Sequence, residues 1–293
     1  MISTLRKQQT IQRPAQIGGF GYWSGRDVSV EFRPAPAHSG IVFVRTDLPK
    51  PARIAARMEN RIETPRRTTL ATEGATVEMV EHILAALAGL RIDNCEIHVD
   101  RPEMPGCDGS SLPFVEVLMG AGIVEQDALR TRLVITETTR VGDEEAWVEA
   151  RPQHYSDRLT IQYQLDYGPS SPIGRQIMEL DVLPDSFRKK LAPARTFILK
   201  SEADWLRSRG LGSRVTCRDL LVIDESGPVD NPLRFVDECV RHKALDLVGD
   251  LALAGCDLAG CVIAHRSGHR LNAEMVRVLL CEGRRIEGRR KTA

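Results

Sequence analysis

The stretch that most restricts how this chain can fold runs from Phe235 to Asp250, FVDECVRHKALDLVGD. On a helix of about 3.6 residues per turn, Glu238, His242, Asp246 and Asp250 recur every four residues and form one polar stripe. Val236, Val240, Ala244, Leu247 and Leu251 take the opposite side. The spacing predicts a helix that packs one face into a core and aims carboxylates and an imidazole at a partner. His and Asp at i and i+4 are close enough on the helix surface to share that partner, and their nitrogen and oxygen donors suit Zn²⁺. An isolated HxxxD match is common by chance. The reading therefore requires a third ligand elsewhere, with a base beside it.

Both are available in a second apolar stretch. From Thr76 to Ala88, the residues Val77, Val80, Ile83, Leu84, Leu87 and Ala88 follow helical spacing, with Thr76 placed to cap the start and Gly89 to end it. Within this helix lies Glu81-His82. Adjacent ionisable residues are costly to bury without partners. A satisfied core histidine beside a surface glutamate is the plain alternative. The sharper reading makes His82 the third ligand and Glu81 a general base, so that two helices supply three ligands and leave a fourth position for water, as catalytic zinc sites do.

Around these stretches Val28–Phe32 and Ile41–Val44 read as strands, with Arg33 to Pro36 as an extended edge or loop and short strands within 53–73. Cys95, Ile97 and Val99 alternate with Glu96 and His98, which places His98 toward solvent. A Pro/Gly-rich loop at 101–114 precedes a short helix over 115–123. From Glu125 to Arg132 the composition turns polar, which sets a boundary between domains of residues 1–127 and 128–293. The second half reads as strands at 133–140, 146–150 and 159–165, a helix near 184–191, strands around 220, the organising helix and a strand from Leu258 to Ala264. That order repeats the first half and suggests a duplication. After the last strand, His269 lies beyond the Gly268 turn and can reach inward as a general acid, whereas His265 is expected to be exposed. Residues 284–291 read as a solvated end.

With 293 residues, the chain is long enough for two cores. Forty basic and forty acidic residues cancel, so no global field argues for nucleic acid or an anionic membrane. Seven cysteines without a CxxC pair, with Cys256 and Cys261 in an apolar run as buried thiols, point to a reducing compartment. There is no signal-peptide core and no transmembrane-length apolar run, and a cytoplasmic protein is expected.

Five separated motifs then resemble one family. They are Glu81-His82 within VEHILAALAGLRIDN, DGSSLPF at 108–114, Ala194-Arg195-Thr196-Phe197, His242, Lys243 and Asp246 within VRHKALDLVGD, and Ser267-Gly268-His269-Arg270-Leu271-Asn272. RPAPAHSGIVFVRTDL also fits, so the likeness runs in order from about Gln8 to Leu280. Together they resemble the UDP-3-O-acyl-N-acetylglucosamine deacetylases, the zinc amidases of lipid A biosynthesis. The resemblance implies one Zn²⁺ on His82, His242 and Asp246, Glu81 as general base and His269 as general acid. It also implies Asp250 as the carboxylate that orients the acid, Thr196 as a hydroxyl donor to the oxyanion, and Lys243 as a substrate-contacting lysine. Phe197 is expected on the sugar, Arg266 near the diphosphate in place of the usual lysine, and Tyr167 on the uracil. The implied architecture is α+β, with two domains of similar topology, helices sandwiched between two outer β-sheets and the active site at their interface. The implied partner is an acylated UDP-sugar, with no nucleic acid, and a monomer is expected.

Two stretches depart from the family pattern. After Arg209-Gly210-Leu211 the chain continues GSRVTCRD, with Arg214 and Val215 where small residues would shape an acyl passage, so a narrowed or differently lined passage is expected. Trp23, within GFGYWSG, stands where the family usually has histidine. A deacetylase of a related acylated sugar nucleotide and a non-catalytic binder are the alternatives. Loss of a ligand, the base or the acid would favour the binder, and none is lost.

Overall fold

The computed structural model describes residues 5–153 and 157–287. In the first half, Val28, Val30 and Phe32 are buried while Asp27 and Ser29 are exposed, the alternation of a strand with one face on a core. This strand, Asp27–Pro34, belongs to a five-stranded sheet in the order Ala15–Phe20, Asp27–Pro34, Cys95–Val99, Ile41–Arg45, Ala52–Ala55. Arg33 and Pro34 are thus not loop but the end of the strand. Pro34 sits opposite Cys95 on the last rung, where its missing N–H is tolerated. A smaller sheet joins Arg61–Ile62, Thr69–Thr72 and Ala75–Glu78, and two helices follow, α1 (Glu81–Gly89) and α2 (Leu112–Gly120). His98 lies half-buried on the outer side of its strand, with Nε2 3.0 Å from Glu96.

The start of α1 corrects the sequence reading. Thr76 caps nothing, because Ala75–Glu78 is a strand paired with Thr69–Thr72 across a turn at Gly74, whose φ is +81°. Buried Ala75 and Val77 alternate with Thr76 and Glu78, a period of two that the following apolar residues disguise as helix. Met79, at φ 59°, turns the chain from strand to helix. At the other end Gly89 is the last helical residue, and the left-handed conformation belongs to Arg91. Gly89 is needed for packing, since a Cβ there would lie 2.2 Å from the ring of Phe187.

The second half is built on a seven-stranded sheet around Asp257–His265, which pairs with Arg132–Val134, Trp147–Arg151 and Leu159–Asp166. Its helices are α3 (Pro184–Lys190), α4 (Lys200–Ser208), α5 (Glu238–Leu251) and α6 (His269–Glu282). Spacing missed α4, α6 and the strand Arg175–Asp181. For α6 the signal is present in buried Leu271, Met275, Val276 and Leu279. Within Glu125 to Arg132, where the domain boundary is expected, residues up to Leu129 belong to the strand Ile123–Leu129, which pairs antiparallel with Lys7–Ile11. Arg284–Ile286 is a strand against Arg132–Val134, with Arg284 and Arg285 exposed as expected of a solvated end, and the residues after 287 lie outside the described range. Cys256 and Cys261 are half-buried rather than buried, and all seven cysteines are free thiols.

The two halves meet through helices. α5 packs on α1 from the first half and, within its own, on α6 and the strands Leu159–Asp166 and Arg175–Asp181, while α2 packs on α1 and on Ala15–Phe20. The helices thus lie between the sheets of an α+β fold. Where α1 and α5 touch, Gly249 brings backbone onto backbone, and a Cβ there would sit 2.2 Å from the carbonyl oxygen of Glu81. Arg6 closes the far side of the junction with hydrogen bonds of 2.7 Å to Asp93 and to Asp257. No helix among the described residues is long and apolar enough to cross a membrane.

Candidate metal centre and active site

The polar stripe of α5 exists, but it is not solvated. Glu238, His242, Asp246 and Asp250 are between 0% and 4% exposed, which rules out a charged outer face. Val236, expected on the buried side, precedes the helix and is 90% exposed. From the first turn of α1, His82 meets this stripe, and the donor atoms of His82, His242 and Asp246 all lie within 4.8 Å of one another. Asp246 Oδ1 is 3.3 Å from His242 Nε2 and 3.7 Å from His82 Nε2.

These three side chains fit a metal ion on chemical grounds. His242 Nδ1 lies 3.1 Å from the carbonyl oxygen of Ala194, so Nδ1 carries the proton and Nε2 presents a lone pair. Asp246 Oδ1 is buried and has no hydrogen-bond partner. Lone pairs that converge in a dry site repel unless a cation lies between them. Burial, and then the neighbouring His242, takes the His82 pKa down to about 3, and burial lowers His242 as well. For Asp246, burial opposes the charge, but His242 and Lys243 override it and hold the carboxyl below its usual range. Two neutral imidazoles and a carboxylate are the protonation states that metal binding needs.

Beside this cluster lie two further buried titratable groups, Glu81 and His269. Burial raises the Glu81 carboxyl to about 7, against the pull of His269, and its Oε2 accepts the backbone N–H of Thr68 at 3.0 Å. At His269, the first residue of α6, burial is overridden by Asp250, which holds the ring up to about 9. His269 Nδ1 is 2.8 Å from Asp250 Oδ2, which also accepts Asn272 Nδ2 at 2.8 Å. Glu81 is thus a carboxyl that gives up its proton near neutrality, beside an imidazole that still carries one there. Thr68 and Asn272 were missed in the sequence. Asn272 sits one turn from His269 on α6, but nothing in the spacing links Thr68 to Asp250.

His82, His242, Asp246, Glu81 and His269 line a cleft of about 510 Å³ whose wall also carries the apolar side chains of Leu206, Leu211 and Val215. Thr196 stands on its wall, its backbone fixed by N–H to the Gly109 carbonyl at 2.7 Å and by its own carbonyl accepting Leu221 N–H at 2.9 Å. Phe197 meets His242 edge-on at 6.4 Å, and Tyr167 meets Phe197 at 5.9 Å. Lys243 donates to Asp246 Oδ2 at 3.0 Å, and Lys243 and Tyr167 also line an adjoining pocket with Arg266. The expected site residues other than Asp250, which stands behind His269, therefore line this cleft or the adjoining pocket. His265 lies outside it and is not exposed as expected, because its half-buried ring stacks on Trp147 at 5.6 Å. Arg214 does not narrow the cleft. It turns away to Asp27 and lies over Phe20, whereas Leu206, Leu211 and Val215 line the cleft. Trp23 lines the cleft under the guanidinium of Arg67.

The wall is anchored by a buried ion pair. Arg195 reaches Glu238 Oε1 through Nε at 2.8 Å and Oε2 through Nη2 at 3.0 Å. It lies between Ala194, which orients His242, and Thr196. Arg195→Lys keeps the charge but loses the planar fork, so a loss of about 1–3 kcal/mol in denaturant unfolding is expected. A variant as stable as the parent would show that the fork contributes nothing.

Comparison with known proteins agrees with this geometry. The sequence profile of the UDP-3-O-acyl N-acetylglycosamine deacetylases matches residues 8–281. Proteins named UDP-3-O-acyl-N-acetylglucosamine deacetylase from Brucella ovis, Brucella canis and Brucella melitensis biotype 2 are each 39% identical to it over 277 residues, which is 94% of this chain and 96% of theirs. A likeness of that extent, with the metal-type cluster, Glu81 and His269 inside the matched range, shows that the chain belongs to the UDP-3-O-acyl N-acetylglycosamine deacetylase family.

Proposed function

We propose that this protein hydrolyses the N-acetyl group of UDP-3-O-acyl-N-acetylglucosamine, giving acetate and UDP-3-O-acyl-glucosamine for lipid A biosynthesis, with Zn²⁺ held by His82, His242 and Asp246. The observation that carries this reading is the buried, unpartnered Asp246 Oδ1 facing two imidazole nitrogens, within a chain of this family. When bound, zinc supplies Lewis-acid activation of water and of the amide carbonyl. Glu81 takes the proton from the attacking water. Thr196 donates its hydroxyl to the carbonyl oxygen as negative charge develops there. His269 protonates the departing amine, and Asp250 orients its ring and favours the imidazolium. Lys243, Arg266 and Tyr167 form the polar side of the site, where we place the diphosphate and the uracil, with Phe197 against the sugar. The apolar wall with Leu206, Leu211 and Val215 is where we place the acyl chain.

We read the chain as two domains, 1–127 and 128–293, whose junction is the α1–α5 contact, and as a cytoplasmic monomer. A second reading, a paralogue for a related acylated sugar nucleotide, rests on Val215 in the apolar wall and Trp23 in the cleft. Rates across a series of acyl lengths separate the two. Metal removal tests the site itself. Chelator-treated protein and His242→Ala are both expected to retain the fold by circular dichroism, to hold well under one zinc per chain by atomic absorption, and to release no acetate. A His242→Ala protein with full zinc content would show that the ligands lie elsewhere.

A further inference from the structure

Thr68 lies immediately before Thr69–Thr72, the central strand of the small three-stranded sheet, and is fully buried. Each of its polar groups is used. Its carbonyl accepts the N–H of Val80 at the start of α1, and its N–H donates to Glu81 Oε2 at 3.0 Å. Its hydroxyl donates to Asp250 Oδ1 at 2.5 Å and lies 3.2 Å from His269 Nδ1. One residue of the first half thus touches the base directly and reaches across the junction to the carboxylate behind the acid.

We propose that Thr68 is a positioning residue that sets the geometry of base and acid together, with its hydroxyl acting on His269 through Asp250. This rests on the deacetylase reading. Asp250 accepts on both oxygens, from Thr68 on Oδ1 and from His269 and Asn272 on Oδ2. Without the Oδ1 contact the carboxylate is free to rotate about its terminal bond, because the two remaining donors share one oxygen. His269 Nδ1 would then lose a fixed acceptor, and the opposite ring nitrogen would no longer be aimed at the leaving group. Side-chain substitution leaves the Thr68 N–H on Glu81 in place, so it isolates the acid arm.

The test compares Thr68→Val, which keeps the shape, with Thr68→Ser, which keeps the hydroxyl, in zinc-loaded enzyme on UDP-3-O-acyl-N-acetylglucosamine. Thr68→Val is expected to lower kcat by about 10- to 100-fold, the size of one hydrogen bond to a charged group, with KM nearly unchanged. Thr68→Ser is expected to recover most of that loss. In an Asp250→Ala background, where the carboxylate that the hydroxyl holds is gone, Thr68→Val should cost little more. A Thr68→Val enzyme of parental kcat, a serine variant as slow as the valine one, or full losses that multiply with Asp250→Ala would each overturn the proposal. Parent enzyme that turns over no substrate at all would instead overturn the deacetylase reading.

Discussion

Glu81→Gln is expected to keep its fold and its zinc while losing about two to four orders of magnitude in kcat, the usual range for removing a general base. Glutamine has nearly the same volume and keeps an oxygen to accept the Thr68 N–H at the position where Glu81 Oε2 now sits. What it lacks is a group that can take a proton. The carboxyl is buried at the α1–α5 contact, and burial has pushed its pKa up to about 7. A neutral isostere relieves that burial, so the thermal midpoint of metal-free protein is expected to be unchanged or raised. Loss of activity without loss of stability is the signature of a group kept for chemistry. The measurements are kcat from acetate release, zinc content and a thermal melt. Near-parental kcat would remove Glu81 from the reaction.

Gly249→Ala is expected to damage the enzyme by a different route. Its new methyl would lie 2.2 Å from the Glu81 carbonyl oxygen and 3.0 Å from the carbonyl carbon, both backbone atoms that cannot rotate away. α1 and α5 must separate, and overpacking at a rigid contact costs up to about 3 kcal/mol. The same separation moves Glu81 and His82 relative to His242 and Asp246. A displacement of about 1 Å between reacting groups costs on the order of 100-fold in rate. A urea unfolding curve and kcat on the same sample check both parts, with the zinc content expected to fall. A variant with parental stability and activity would show that the two helices are not held at the distance described.

That His82, His242, Asp246, Glu81 and His269 come together could be read in the sequence because they sit on helices, where a spacing of four residues reports a shared face. His242 with Asp246, and Asp246 with Asp250, are such pairs, and Glu81-His82 stood out as charge in an apolar run. The same logic misread Ala75–Glu78, because a hairpin strand leading straight into a helix leaves no polar break between a period of two and a period of 3.6. For α5 the spacing alone does not tell a solvated polar side from one that meets buried partners, since a helix buried on all sides keeps its amphipathic spacing. Contacts between distant segments stayed invisible. The hydroxyl of Thr68 on Asp250, the Ala194 carbonyl on His242 and the bare backbone of Gly249 against Glu81 each join residues far apart in sequence, and none leaves a local pattern. At Arg214 and Val215 the expected passage is narrowed or differently lined; Arg214 pairs with Asp27 and is directed outward, while Val215 lines the cleft.

The central claim is that this chain's buried His-His-Asp cluster and its Glu81–His269 pair hydrolyse an N-acetyl amide. The most direct measurement is initial-rate release of acetate from UDP-3-O-acyl-N-acetylglucosamine by protein carrying one zinc per chain, across a series of acyl lengths. Stoichiometric acetate and free amine are expected, abolished by chelation and restored by zinc, with a chain-length optimum set by the apolar wall that includes Val215. Zinc-loaded protein that releases no acetate at any acyl length would contradict it.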